Sequence, residues 1–122
     1  MRFRVICFIA AGLAFAPPAA HGQQMTADQF RSDLVGFPLC GTPSTGPLAG
    51  KPVCTVHQPD GTALVAGPGL HMRGVWDVDG NRICRRSAND PLERRRCVEY
   101  EKVGEARYRN SDGVEFCIGP CP

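Results

Sequence analysis

Residues 74–84 read Gly-Val-Trp-Asp-Val-Asp-Gly-Asn-Arg-Ile-Cys, and after a polar loop residues 94–97 read Arg-Arg-Arg-Cys. Apolar and polar residues alternate on both sides of Asp79-Gly80. That is a β-hairpin pattern, since a type I′ turn needs positive φ at both central residues. With Asp79 and Gly80 as the loop, Val78 faces Asn81, Asp77 faces Arg82, Trp76 faces Ile83 and Val75 faces Cys84. Aromatic then meets aliphatic on one face and opposite charges meet on the other, each such pair contributing roughly 0.2–1 kcal/mol. Placing Cys84 opposite Cys97 carries the register on, with Ile83 meeting Val98 and Arg82 meeting Glu99. A one-residue slip would turn every side chain to the other face. Agreement at both junctions therefore predicts three consecutive antiparallel strands stapled by Cys84–Cys97.

Beyond Cys97, Val98 to Lys102 completes the third strand and Val103-Gly104 turns it. Ala106, Tyr108 and Asn110 then alternate with Arg107 and Arg109. The loop Ser111-Asp112-Gly113, with glycine at the left-handed position, sets Tyr108 opposite Phe116 and Arg109 opposite Glu115. Val114, Phe116 and Ile118 point inward in this register, and Cys117 points outward.

Before the central hairpin, Thr26 with Gln29 three residues later is a capping-box signature. Phe30, Leu34 and Val35 fall on one helical face, and Gly36 is placed to end the helix. The polar face lacks the Lys/Arg cluster of a membrane-surface helix, so this short helix is expected to pack on a sheet. Phe37 to Lys51 is rich in Gly, Pro, Thr and Ser and reads as loop with a short strand at Phe37–Cys40. Pro52 to His57 and Thr62 to Ala66 read as strands around Pro59-Asp60-Gly61, and Gly67-Pro68-Gly69 breaks the chain before Leu70. Turn signals at this spacing predict a mainly β domain: a small antiparallel β-meander or partly closed barrel with one short N-terminal helix.

The first residues have a different composition. Arg2 and Arg4 precede the apolar run Val5–Ala16, then Pro17-Pro18 and Ala20-His21-Gly22 follow. This is the layout of a secretory signal peptide; the run is shorter than the about 20 apolar residues that span a bilayer. Cleavage after Gly22 is expected, leaving residues 23–122 as a single disulfide-rich domain without a transmembrane segment. The chain's formal charge of +2 resides in Arg2 and Arg4, so the processed domain is neutral and nothing in its charge suggests a nucleic-acid partner.

Cys7 lies in the apolar run, which leaves six of the seven cysteines in the domain. An even number in a short exported chain reads as a disulfide framework. The domain has physical need of one, because Leu, Ile, Val and Phe number 20 in residues 23–122, close to the level of about 20% below which chains tend not to fold. Sequence proximity favours Cys40–Cys54 and Cys117–Cys121 beside Cys84–Cys97. Whether Cys121 pairs with Cys117 or reaches back to Cys40 or Cys54 stays open at this point.

Several of these motifs together resemble small exported modules of alphaproteobacteria, whose function is unassigned. They are Asp60-Gly61-Thr62, Gly74-Val75-Trp76, and the central cysteines in Ile83-Cys84 and Arg96-Cys97-Val98. Tyr108 and Asp112-Gly113 extend the likeness. The resemblance implies a fold and no catalytic residues.

Four groups of residues suggest chemistry. Cys117-Ile-Gly-Pro-Cys121 invites a redox reading, but a redox pair wants two residues between its cysteines and a helix N-terminus, so a structural bridge is expected. His57, His71 and Met72 carry metal-ligating atoms without chelate spacing, and surface histidines with no bound metal are expected. Asp77-Val78-Asp79-Gly80-Asn81 lacks the glycine at position six and the glutamate at twelve that a calcium loop requires. Arg85, Arg86, Arg94, Arg95 and Arg96 form a basic tip in which Arg86 faces Arg95, a surface suited to an anionic partner. Trp76, Tyr100 and Tyr108 could line an apolar cup if the meander closes.

No hydrolase nucleophile, phosphate loop or acidic pair stands out, and no cofactor is implied. The expectation is an exported, non-catalytic binding module of the periplasm or envelope. Its partner would be an anionic envelope component or another periplasmic protein. The alternative is a periplasmic metal- or thiol-handling protein using Cys117, Cys121 and the histidines.

Overall fold

The hairpin around Gly80 forms, one turn position later than expected. The computed structural model describes residue 12 and residues 22–122. The segment expected to be a signal peptide otherwise lies outside the described residues. Strand β5 (Leu70–Asp79) and strand β6 (Arg82–Ser87) leave Gly80 and Asn81 as the loop. Gly80 has φ 61° and Asn81 does not share its positive φ, so glycine holds the first central position, as a type II′ turn requires. The register is therefore Asp79↔Arg82, Val78↔Ile83, Asp77↔Cys84, Trp76↔Arg85 and Val75↔Arg86. Relative to the expected pairing, each partner moves by two residues, and an even shift leaves every side chain on its expected face.

The third strand is also divided. Strand β7 (Arg96–Val98) pairs with β6 through Ile83↔Val98, Cys84↔Cys97 and Arg85↔Arg96. The expected Arg82–Glu99 pair is absent, because the chain leaves this ladder at Glu99. Strand β8 (Tyr100–Gly104) then joins the far side of the sheet, against β9 (Arg107–Asn110) and the two-residue β1 (Gln23–Gln24). The remaining strands are β2 (Pro38–Gly41), β3 (Val53–His57), β4 (Thr62–Gly67) and β10 (Glu115–Ile118).

The ten strands form one antiparallel sheet in the order β1-β8-β9-β10-β2-β3-β4-β5-β6-β7. β7 is at one edge and β8 is one strand from the other, yet only Glu99 separates them. The chain itself thus draws the two ends together, and the sheet curls into a half-barrel. Glu99 is fixed at the junction: its N–H donates to the Ser111 hydroxyl at 3.0 Å, and its carbonyl accepts from Ser111 N–H at 2.9 Å.

Helix α1 (Ala27–Asp33) fills the curl. Thr26 and Gln29 make the full capping box. The helix entrance is tied to β8 by Met25 N–H donating to the Tyr100 carbonyl (2.9 Å), and to the hairpin turn by Ala27 N–H donating to Asn81 Oδ1 (3.1 Å). Its exit is tied to β3 by Gly36 N–H donating to the His57 carbonyl at 2.7 Å, with Gly36 at φ 89°. Phe30 and Leu34 are buried against Leu39, Ile83, Val98, Tyr100, Tyr108 and Phe116.

Three disulfides close the structure: Cys40–Cys54, Cys84–Cys97 and Cys117–Cys121. Tyr108 lies opposite Phe116 and Arg109 opposite Glu115, as the sequence indicates. Cys117 faces away from Phe116, but it is buried. Disulfides on this scale belong to an oxidising environment outside the cytoplasm. Among the described residues, no helix is long and apolar enough to cross a membrane.

Candidate functional site

The basic tip is divided by the sheet. Arg85 and Arg96 are direct cross-strand partners in the register expected from Cys84 opposite Cys97, and the ladder ends there, so the expected Arg86–Arg95 pair does not form. Like charges directly opposite repel. Arg85 reaches inward, where its Nη1 donates to the Thr55 hydroxyl at 3.4 Å. Arg96 Nη2 lies 3.9 Å from Asp112 Oδ2, with both side chains well exposed. An exposed pair of that kind contributes little.

Arg95 is turned to the opposite side. Its Nη1 donates to Asp77 Oδ2 at 2.6 Å, and its Nη2 lies 3.4 Å from Asp79 Oδ2. Asp79 also takes Arg82 across the turn. Arg95 is therefore neutralised and serves to pin the β7 approach over the hairpin. Arg86 Nη1 donates to the Asp90 carbonyl at 2.9 Å, closing the loop between β6 and β7. Arg94, in the 3-10 turn Leu92–Arg94, is exposed and in no ion pair among the described residues. Among the described residues Arg85, Arg86 and Arg94 are thus in no ion pair, and Arg96 has only the long contact with Asp112.

The expected cup is occupied by the protein itself. Tyr100 and Tyr108 are buried, and the Phe30 ring sits 5.0 Å from Tyr100 and 5.9 Å from Trp76. Trp76 Nε1 donates to the Gln58 carbonyl at 2.7 Å. Burial raises the Tyr100 hydroxyl above its ordinary pKa.

His57 is not on the surface as expected. It is fully buried between Phe30 and Trp76, with ring centroids at 5.1 and 5.6 Å. The alternation Val53-Thr55-His57 puts it on the inward face of β3, a signal available in the sequence. Burial, aided by the Arg85 charge, lowers its pKa from 6.5 to about 3. His71 and Met72 are exposed and pair with Ala66 and Val65. Among the described residues, no three His, Cys, Asp or Glu side chains converge as a metal site.

A cleft of about 420 Å³ lies along the seam, lined among others by Gln24, Glu99, Glu101, Arg109 and Ser111. No sequence motif announces it, because β1, β8 and β9 build it from separate parts of the chain. Its polar groups are already engaged internally: Arg109 Nε donates to Glu101 at 2.8 Å and Gln24 Nε2 to Glu99 at 3.2 Å. A ligand would have to displace these bonds, whereas an anion at the Arg85–Arg96 end would relieve repulsion. No family model, curated protein or solved structure matches the chain.

Proposed function

We propose that this chain is an exported, non-catalytic β module of the periplasm that holds an anionic component of the cell envelope at the arginine-bearing end of β6 and β7. The observation that carries this reading is the direct opposition of Arg85 and Arg96, with Arg94 nearby in sequence and only the exposed Asp112 close to Arg96. Repulsion of this kind is costly in the free protein and is offset when an anion lies between the charges. The signal-peptide layout of residues 1–22, the three disulfides and the resemblance to exported alphaproteobacterial modules support the compartment.

Binding to an immobilised acidic polysaccharide and to anionic phospholipid vesicles tests the reading. Retention is expected to fall with salt and to be lost in the triple variant Arg85→Ser, Arg94→Ser, Arg96→Ser, while Arg95→Ser retains it. Equal retention of the triple variant overturns the proposal. Salt-resistant capture of one envelope protein by both forms would instead make a periplasmic protein the partner.

A further inference from the structure

Four cysteines gather on the sheet face that points away from Leu39 and Phe116. Cys40 on β2 lies directly opposite Cys54 on β3 and also directly opposite Cys117 on β10. The three therefore stand in one row across three strands, with side chains on the same face. The Cα atoms of Cys40 and Cys54 are 4.0 Å apart, the close, non-hydrogen-bonded kind of antiparallel pair. Alternation makes Cys40 and Cys117 the hydrogen-bonded kind, with Cα atoms about 5.5 Å apart. That spacing lies in the middle of the range a disulfide spans, roughly 4.4–6.8 Å. The ladder thus sets Cys40 beside two cysteines, Cys54 already bridged and Cys117 at the wider side-chain spacing of a hydrogen-bonded pair, which a disulfide closes by drawing β2 and β10 together.

The fourth cysteine supplies access. Cys121 is exposed, whereas Cys117 and Cys40 are buried. Its Sγ rests 3.6 Å from the Cys40 carbonyl oxygen, over the same row. The Cys84–Cys97 bridge has no such neighbour, and Cys84 is fully buried.

We propose that Cys117–Cys121 is a thiol–disulfide exchange site for small dithiols, and that Cys40 passes the exchange on to Cys54. One thiolate of the dithiol attacks Cys121 Sγ, forming a mixed disulfide and expelling Cys117 as thiolate. The dithiol's second thiol resolves the mixed disulfide, releasing Cys121 with a proton and leaving the reagent as a cyclic disulfide. The dithiol loses two electrons and the bridge gains them. The Cys117 thiolate then attacks Cys40 Sγ: the Cys40–Cys117 bond forms, the Cys40–Cys54 bond breaks, and Cys54 departs with the electron pair and takes a proton from solvent. This activity is separate from anion binding, which needs no free thiol.

The variant Cys121→Ser leaves Cys117 unbridged opposite Cys40 from the outset. After incubation in mildly alkaline buffer, acid quench and alkylation, peptide mapping is expected to show a Cys40–Cys117 bridge with alkylated Cys54 beside the original pair. An unchanged Cys40–Cys54 bridge with only Cys117 alkylated overturns the relay. In the wild-type protein, limiting dithiothreitol is expected to open Cys117–Cys121 about tenfold faster or more than Cys84–Cys97, because reaction follows access to sulfur. Simultaneous opening of all three bridges overturns the exchange site.

Discussion

The imidazole of His57 meets the ring of Phe30 edge-on, with centroids 5.1 Å apart and planes at 87°, and neither ring nitrogen finds a hydrogen-bond partner among the described residues. A buried base in this position resists protonation, which is why its pKa falls to about 3. The unfolded chain takes up the proton near pH 6.5 while the folded chain does not. Stability is therefore complete above that pH and declines as pH falls from 6.5 toward 3. The slope is about 1.4 kcal/mol per pH unit, so about 2 kcal/mol is expected to be lost by pH 5. Denaturant titrations at about pH 7.5 and about pH 5 measure this, and His57→Leu should abolish most of the difference. Equal pH dependence in the two proteins would remove His57 as the cause.

Ala106 carries the only positive φ of a non-glycine residue among those described, at 53°. It closes the turn between β8 and β9, and its carbonyl accepts Ile118 N–H at 3.1 Å. A side chain in the left-handed region costs roughly 1 kcal/mol, partly offset by glycine's greater freedom when unfolded. Ala106→Gly is expected to raise stability by about 0.5 kcal/mol. A fall in the denaturation midpoint would mean that the turn relaxes with no strain to relieve.

The alternation of Val75, Trp76, Asp77 and Val78 was enough to reveal which face each residue takes, because a shift by an even number preserves faces. The turn position was not legible from Asp79-Gly80 alone. Gly80 serves a type I′ turn as second central residue and a type II′ turn as first, and the ion pairs of Arg82 and Arg95 with Asp79 accompany the latter. The break at Glu99 was hidden for a different reason: Val98 and Tyr100 are inward on either side of it, so the hydrophobic period runs through unbroken. Gln23-Gln24 has no strand propensity, and β1 exists only because β8 offers it an edge. The adjacency of Cys40 and Cys117, 77 positions apart in the numbering, depends on β10 closing against β2, a long-range pairing that no local pattern encodes.

Gly74 sits opposite Ser87 on β6, and a Cβ there would lie 2.6 Å from the Arg86 carbonyl oxygen. The obstacle is backbone at the end of the β5–β6 ladder, where Gly74 also pairs with Ala63 of β4, so it cannot swing aside as a flexible side chain would. Gly74→Ala is expected to cost about 1–3 kcal/mol, as overpacking commonly does. The nearby Gly69→Ala meets no atom but has φ 67°, so its cost is one of backbone conformation instead. A lowered unfolding midpoint for Gly74→Ala checks the close approach; an unchanged one would show that the ladder yields there.

Cys84–Cys97 ties β6 to β7 just where the chain is about to leave for the other end of the sheet at Glu99. Arg85 opposite Arg96 pushes these strands apart one position away, and β7 contributes only three residues to the ladder. The bridge spans 13 positions and limits the unfolded chain by about 3 kcal/mol. The double variant Cys84→Ala, Cys97→Ala is accordingly expected to lose about that much, with earliest loss of amide protection in β7. Adding Arg96→Ser to this variant should restore part of the loss by removing the repulsion, since neighbouring effects do not add independently. Hydrogen exchange and denaturant titration on the two variants check both statements, and a further loss on adding Arg96→Ser would show that Asp112, not repulsion from Arg85, governs this end of the sheet.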